Sequence, residues 1–364
     1  MAHPALFLFY YKSSYLSIEG ENIMKELRFA ILGFGGIATS HKVAYDALAR
    51  EGYPVRLVAI CDKAGVDTKK TVTTNLGTVD CGSFEGIGIY TDLDVMLKEC
   101  RIDVLDICLP TFLHKEFAIR ALNSGLHVLC EKPMALNYAD AALMLDAARE
   151  NDRRLLIGQC LRFEPSYRYL KELCCSGELG AVRRISMSRL SAMPRWSSGD
   201  VYKQRELTGG CLLDLHIHDI DILRYLLGDP ESVTAVATLE DSGEEYVSTR
   251  LEYDGVLAEA TASFDEAAST PFYMGYRARF EAATVVLDMD KLTVYPEAGD
   301  PYMPKLAEAD RIAEEIRYLC EWIRTGENSV NPPEESAATI RLMELIKESA
   351  ATGERIGRGD TENE

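Results

Sequence analysis

Twelve residues, LRFAILGFGGIA at 27–38, limit what this chain can fold into more than any other stretch. An apolar, strand-like run enters G-x-G-x-x-A and leaves it in a helical pattern. Gly33 permits a tight turn, Gly35 lets the backbone approach a pyrophosphate, and the small Ala38 lets helix and strand pack closely. A helix opening around Gly36 and Ile37, with Phe34 in the turn, offers free N–H groups and a positive dipole end to an anion. Asp62 ends the second strand-like run. A carboxylate there accepts both hydroxyls of an adenosine ribose and repels a 2′-phosphate. This favours NAD over NADP, although the adjacent Lys63 weakens the preference. The plainer alternative is a glycine turn with an ordinary cap at Asp62.

The pattern around this motif sets the fold class. LRFAIL (27–32), VRLVAI (55–60), DVLDICL (103–109) and HVLC (127–130) read as buried strands, with helical periodicity over 36–50, 62–75, 112–124 and 137–150. Strands alternating with helices imply right-handed crossovers and a parallel sheet covered on both faces. The glycine-rich stretch 77–88 reads as a loop insertion, and RLLIG (154–158) as a strand leading out of the domain. Beyond Gln159 come a helix near 164–176, a strand at 182–191, a helix from Gly209–Gly210, alternating strands between 232 and 296, and helices at 305–325 and 334–350. The expected fold is α/β. An N-terminal Rossmann dinucleotide-binding domain spans 24–152, and a C-terminal α+β domain with a large, mostly antiparallel open sheet spans 153–350. The terminal helices are free to pack back on the first domain. Residues 1–23 are expected to be a disordered or spurious extension and 351–364 a flexible tail.

Charge and cysteine content narrow the partners. The chain of 364 residues carries 39 Lys and Arg against 58 Asp and Glu, a net charge of −19 that repels phosphate backbones and anionic lipid. Nucleic acid and membrane surfaces are therefore excluded as expected partners. The early apolar run Ala5–Tyr11 is too short to span a bilayer and lacks a small-residue cleavage site. Ten cysteines form no C-x-x-C pair, and several lie in strand-like runs where reduced cysteine packs as a small apolar residue. A reducing cytoplasm is the expected location.

Three segments carry chemistry. The third strand ends in ICLPTFLH (107–114), placing Leu109, Pro110 and Thr111 where ligands sit in parallel sheets, with His114 as a cofactor contact or a helix-start cap. The fourth ends in CEKP. A lysine there, Lys132, is able to hydrogen-bond a substrate hydroxyl and favour its alkoxide. In GGCLLDLHIHDIDILRYLLG (209–228), helical spacing puts Asp214, His218 and Asp221 on one face, His216 away from it, and apolar residues around. An imidazole beside a carboxylate takes a hydroxyl proton near neutral pH. A buried polar cluster, or a metal site, would use the same three residues. No third histidine or cysteine lies nearby, so no metal is expected.

In this order the segments resemble the Gfo/Idh/MocA oxidoreductase family over about residues 25–350, on GFGGIA, ICLPTFLHKEFAIRAL, GLHVLCEKPMAL, GQCLRFEPSYRYLK and the D-x-x-x-H helix. The resemblance implies that Lys132 lies beside the nicotinamide, with a cis Lys132–Pro133 peptide. It further implies that Glu131 helps hold the nicotinamide ribose, that Asp214 and His218 act on the substrate hydroxyl, and that Arg162 lies near the domain junction. It implies reversible hydride transfer between NAD and a secondary alcohol of a carbohydrate-type substrate, His218 being the acid/base, Lys132 steadying the oxyanion and Asp214 orienting the imidazole. Homodimers or homotetramers through the C-terminal sheet are also implied.

Substrate selection is expected from Arg162, Arg195, Trp196 and Asp221. Arg183, Arg184, Arg189, Arg195, Lys203 and Arg205 face Asp200 alone within 183–205, which suits an anionic sugar or else arginines offsetting neighbouring carboxylates. Two other classes remain open at this level: a non-catalytic NAD(P)-sensing regulator, and a metal-dependent lyase or hydrolase using Asp214, His218 and Asp221.

Overall fold

The computed structural model describes residues 25–68, 71–74, 77–194, 204–239 and 245–359. Residues 1–23, Arg195, Trp196 and Lys203 lie outside them. Strands β1 (Leu27–Leu32), β2 (Val55–Cys61), β3 (Thr71–Thr74), β4 (Gly77–Asp80), β5 (Gly88–Tyr90), β6 (Val104–Ile107), β7 (His127–Glu131) and β8 (Leu155–Gly158) belong to the first half, with helices α1 (Gly36–Arg50), α2 (Leu93–Glu99), α3 (His114–Asn123) and α4 (Tyr138–Glu150).

Six of these strands form a wholly parallel sheet in the order β5-β2-β1-β6-β7-β8. β6 and β8 are buried along their entire length, as strands covered on both faces must be. The connections reverse direction between β1 and β6, and the crevice outside that switch point is the expected ligand site of such sheets. β8 pairs with β7, so the sheet runs past the expected boundary at residue 152.

The stretch 62–75 is not the expected helix. Its second half is the β-branched run TVTT, which pairs as β3 with β4 in a separate hairpin. The glycine-rich stretch behind it delivers β5 to the sheet edge.

The second half contains α5 (Pro165–Ser176), β9 (Val182–Leu190), α6 (Arg205–Thr208), a π-helical turn at Leu212–His216, α7 (Ile217–Leu227), β10 (Ser232–Leu239), β11 (Glu245–Tyr253), β12 (Val256–Ser263), β13 (Tyr273–Phe280), β14 (Ala283–Asp288), β15 (Lys291–Pro296), α8 (Arg311–Thr325), α9 (Pro333–Thr352) and β16 (Ile356–Gly357). Its eight-stranded sheet has the order β15-β14-β13-β9-β12-β11-β10-β16 and is antiparallel except between β9 and β12. Burial alternates along β11, one face meeting the core and the other water. Ile217, Ile220 and Leu223 of α7 and Ile340, Met343 and Ile346 of α9 share a core with Ile185, Leu251, Ala258 and Ala260 of the sheet. The opposite face leaves Val236 and Tyr246 exposed.

Both terminal helices reach back to the first half, α8 against α1 and α9 against α4. Ile312, Ile316 and Leu319 of α8 join Ala38, Tyr45 and Leu48 of α1 in one cluster. The tail is not wholly free: Ile356 is buried and β16 pairs with β10, because the apolar Ile356 and a bare sheet edge satisfy each other.

Candidate active site

The glycine turn is built as a cradle. Gly33 has φ +88°, and a Cβ there would lie 2.8 Å from the Cys108 carbonyl oxygen and 2.8 Å from the Leu109 side chain. Only glycine fits a left-handed turn pressed against the neighbouring loop. At Gly35, by contrast, a Cβ would meet nothing within 4 Å, so open space lies over the turn. Helix α1 begins at Gly36 with no side chain capping its first N–H groups, and Ala38 is fully buried under it. Open space, uncapped N–H groups and a missing Cβ fit a dinucleotide pyrophosphate.

Asp62 stands at the tip of β2 and accepts from the amides of Phe34 (2.7 Å) and Ala64 (2.8 Å). Its carboxylate is thereby fixed beside the cradle. Lys63 and Ile37 are exposed next to it, and Phe34 stacks edge-on against Phe84. Pro110 and Thr111 open a short helical turn on the other side of the crevice.

His114 does not reach this crevice. Its ring is buried between two carbonyl oxygens, those of Pro133 and Leu109, each 2.8 Å away, and burial pushes its pKa down. It ties the β6 loop to the segment after Lys132, which suits the helix-start reading of this histidine. Glu131 is turned inward as well. Oε1 accepts from His41 Nε2 at 2.9 Å and Oε2 from the Lys132 amide at 3.2 Å, so its main protein partner is a histidine in α1.

The Lys132–Pro133 peptide is cis. The Lys132 ammonium donates to the Asp214 carbonyl oxygen (2.7 Å) and carboxylate (2.8 Å). This contact departs from the sequence expectation, which gave Asp214 to His218. The cause is local. Gly210 has φ +65°, and a Cβ there would strike the Glu245 carboxylate, which accepts from the Cys211 amide at 2.7 Å. The chain then enters the π-helical turn Leu212–His216 before α7 begins. Asp214 lies in that turn and its carboxylate is held by Lys132.

His218 is half-buried, and its Nδ1 is buried with no hydrogen-bond partner. Burial pushes its pKa well below the ordinary imidazole value, assisted by the positive charges of Lys132, Arg189 and Arg311. The ring is therefore held in its neutral form. His216 points elsewhere, its Nε2 lying 2.8 Å from the Thr249 hydroxyl.

Arg162 and Asp221 are bonded to each other. They form a buried bidentate pair at 2.8 and 2.7 Å, with the Thr339 hydroxyl donating to Asp221 at 3.0 Å and Arg162 donating to the Val330 carbonyl at 3.0 Å. The pair locks α7 to the entry of α9. Among the described residues, Asp214, His218 and Asp221 do not bring ligand atoms together as one cluster.

The basic segment resolves similarly. Arg189 is buried against Asp219 (2.9 Å), Arg183 faces Glu281, and Arg205 pairs with Glu245. These arginines offset neighbouring carboxylates. Sequence reasoning missed His41, Asp106 and Glu315, all buried near Glu131. Asp106 left a signal: an acid inside the otherwise apolar strand VLDI requires a buried partner.

Comparison with known proteins agrees with this geometry. Residues 27–159 match the family described as "Oxidoreductase family, NAD-binding Rossmann fold", and residues 167–284 match the GFO/IDH/MocA C-terminal domain. The chain is 28% identical over 360 residues to D-xylose 1-dehydrogenase (NADP(+)) 2 of Haloferax volcanii, covering 91% of this chain and 99% of that protein. It is 31% identical over 207 residues to D-glucoside 3-dehydrogenase of Escherichia coli, covering 56% and 55% of the two chains. Among solved structures, levoglucosan dehydrogenase in complex with NADH and L-sorbose superposes with TM-score 0.77 at 20% identity, covering 92% of this chain and 99% of that one. Aldose-aldose oxidoreductase from Caulobacter crescentus superposes with TM-score 0.76 at 24% identity, covering 92% and 100%. The chain belongs to the Gfo/Idh/MocA family of NAD(P)-dependent oxidoreductases, its first sheet being the family's NAD-binding Rossmann domain.

Proposed function

We propose that the protein oxidises or reduces a secondary alcohol of a sugar, polyol or sugar derivative, with His218 as acid/base and Lys132 polarising the substrate oxygen. The observation that carries this reading is the joint placement of an ammonium and a neutral imidazole. Lys132 spends two of its three N–H groups on Asp214, leaving one for a substrate oxygen. Its charge is also felt at His218.

A bound nicotinamide supplies the hydride acceptor in oxidation and the donor in reduction. The Nε2 lone pair of His218 takes the hydroxyl proton as the alcohol is oxidised and returns it in the reverse direction. The remaining Lys132 N–H steadies the negative charge that builds on the oxygen. Gly33 to Ala38 and Asp62 hold the pyrophosphate and adenosine ribose, Asp62 favouring NAD over NADP. Similarity to relatives named for xylose and glucoside supports an uncharged carbohydrate, as does the engagement of Arg183, Arg189 and Arg205 by neighbouring carboxylates. Assembly as a homodimer or homotetramer through the open face of the eight-stranded sheet suits its exposed Val236 and Tyr246. Ten free thiols suit a reducing cytoplasm.

The test follows nicotinamide absorbance with NAD and NADP over polyols, aldoses, uronates and sugar phosphates. Turnover with aldoses or polyols, lowered roughly 10²–10⁴-fold in His218→Asn with NADH affinity retained, is expected. Asp62→Ala raises the NADH Kd about tenfold, equivalent to about 1.4 kcal/mol of lost hydrogen bonding. Tight NADH binding with no turnover across the panel would instead indicate a sensor. A fully active His218→Asn would refute the acid/base assignment.

A further inference from the structure

We propose that His41 is a positioning residue for this reaction, locking the helix that forms the dinucleotide cradle to the strand end that carries Lys132; the inference rests on the function proposed above. His41 sits in α1, whose first residues cap the glycine turn, and its side chain is fully buried. Nδ1 donates to Asp106 Oδ2 at 2.8 Å, and Nε2 donates to Glu131 Oε1 at 2.9 Å. Tyr45, one turn along α1, donates to the same Asp106 oxygen at 2.8 Å. Asp106 lies in β6 and Glu131 ends β7, so a single ring joins three elements around the crevice.

The link continues to the lysine through Glu131, whose second oxygen accepts from the Lys132 amide. Gly158 on β8 leaves room for this fold-back, since a Cβ there would lie 2.9 Å from Glu131 Oε1.

The charges are consistent with both ring nitrogens donating. Burial alone would lower the His41 pKa, but Asp106 and Cys108 outweigh it and hold the ring protonated. Burial likewise opposes ionisation of Glu131, and His41 overcomes it. Glu315 of α8 closes the cluster with both carboxyl oxygens unpartnered, and burial next to Glu131 pushes its pKa well up. It is a neutral acid and adds no third negative charge.

Stability does not account for such a cluster, because a buried ion pair is often no more stabilising than well-packed apolar residues of the same volume. Orientation does account for it. A misplacement of about 1 Å in a catalytic site costs on the order of 10²-fold in rate, and His41 fixes the spacing between cradle and ammonium.

The test compares wild type, His41→Ala and the double variant His41→Gln/Asp106→Asn, all below their melting temperatures. In the double variant the Gln amide donates to Glu131 and accepts from the Asn amide, rebuilding the link without charge. Three readouts are taken: kcat and KM for the best sugar, NADH affinity, and the fluorescence lifetime of bound NADH, which reports how firmly the nicotinamide end is held. Expected are a kcat at least tenfold lower in His41→Ala, a sugar KM within about threefold of wild type, an altered lifetime, and recovery of both kcat and lifetime in the double variant. A folded His41→Ala with kcat within twofold of wild type and an unchanged lifetime would overturn the proposal, as would a folded double variant that recovers neither. Should His41→Ala not fold, His41→Gln, which keeps one donor for Glu131, takes its place and is judged by the same outcomes. Should wild type turn over no sugar, the functional reading fails, and the lifetime alone decides the role of His41.

Discussion

Replacing Asp221 by Ala separates a substrate ligand from a structural ion pair. In the folded protein the Asp221 and Arg162 side chains are each 1% exposed, joined by two short hydrogen bonds. Removing the carboxylate leaves a guanidinium buried with the Val330 carbonyl as its remaining hydrogen-bond partner, while the Thr339 hydroxyl keeps the Glu335 carbonyl as its acceptor. Breaking one side of a buried pair costs about 3–5 kcal/mol. Unfolding entropy near the midpoint is about 2.1 cal/mol/K per residue, so a cooperative unit of roughly this length loses about 4–7 °C of Tm. Thermal unfolding followed by circular dichroism, with steady-state kinetics on the same sample, measures both consequences. A Tm drop of that size with the sugar KM unchanged is expected. A variant melting within a degree of wild type while KM rises tenfold would refute the assignment and return Asp221 to the substrate site.

The two cradle glycines respond differently to a methyl group. Gly35→Ala is expected to leave Tm unchanged and raise the NADH Kd at least tenfold, because the new Cβ fills space that only a ligand uses. Gly33→Ala is expected to lower both stability and affinity, the left-handed backbone alone costing roughly 1–2 kcal/mol; calorimetric titration beside thermal melts checks the pair, and equal effects on Tm would sink the distinction. Acid is expected to destabilise the fold: burial holds His216 down to about 3 and His127 to about 4, so both are neutral in the folded state and must take up protons on unfolding. Their contribution is complete above the ordinary imidazole value and is lost as pH falls from about 6.5 towards 3–4. A Tm that stays level between pH 6.5 and 4.5 would contradict it.

The parts of this architecture written locally were legible. Gly33, Gly35 and Ala38 are short-range requirements of a turn, and the buried runs of β1, β2, β6 and β7 declare a parallel sheet because no strand there has a wet face. Long-range partners were not legible. Nothing local in Arg162 says that its carboxylate lies 59 residues away, and Glu131 gives no sign that it turns towards α1. The D-x-x-x-H spacing could not announce that the segment opens as a π-turn or that Asp214 bonds Lys132. β16 escaped notice because a two-residue strand has no periodicity to read. A better signal lay in Asp106 and Glu315, acids within apolar faces that demanded buried partners or protonation.

The pairing of Asp214 with Lys132 makes chemical sense of the site. An acid/base that must accept a proton at neutral pH needs a ring that is neutral beforehand, and a carboxylate bonded to that ring would favour its charged form. Here the carboxylate serves the ammonium instead, while burial and three cations bear on His218. Two basic groups in one crevice are thereby pushed to opposite states, one a charged donor and the other a free lone pair. Such a division of environments is the general way in which neighbouring titratable groups acquire different roles. The carboxylate that holds Lys132 is thereby withheld from His218, whose Nδ1 has no partner among the described residues.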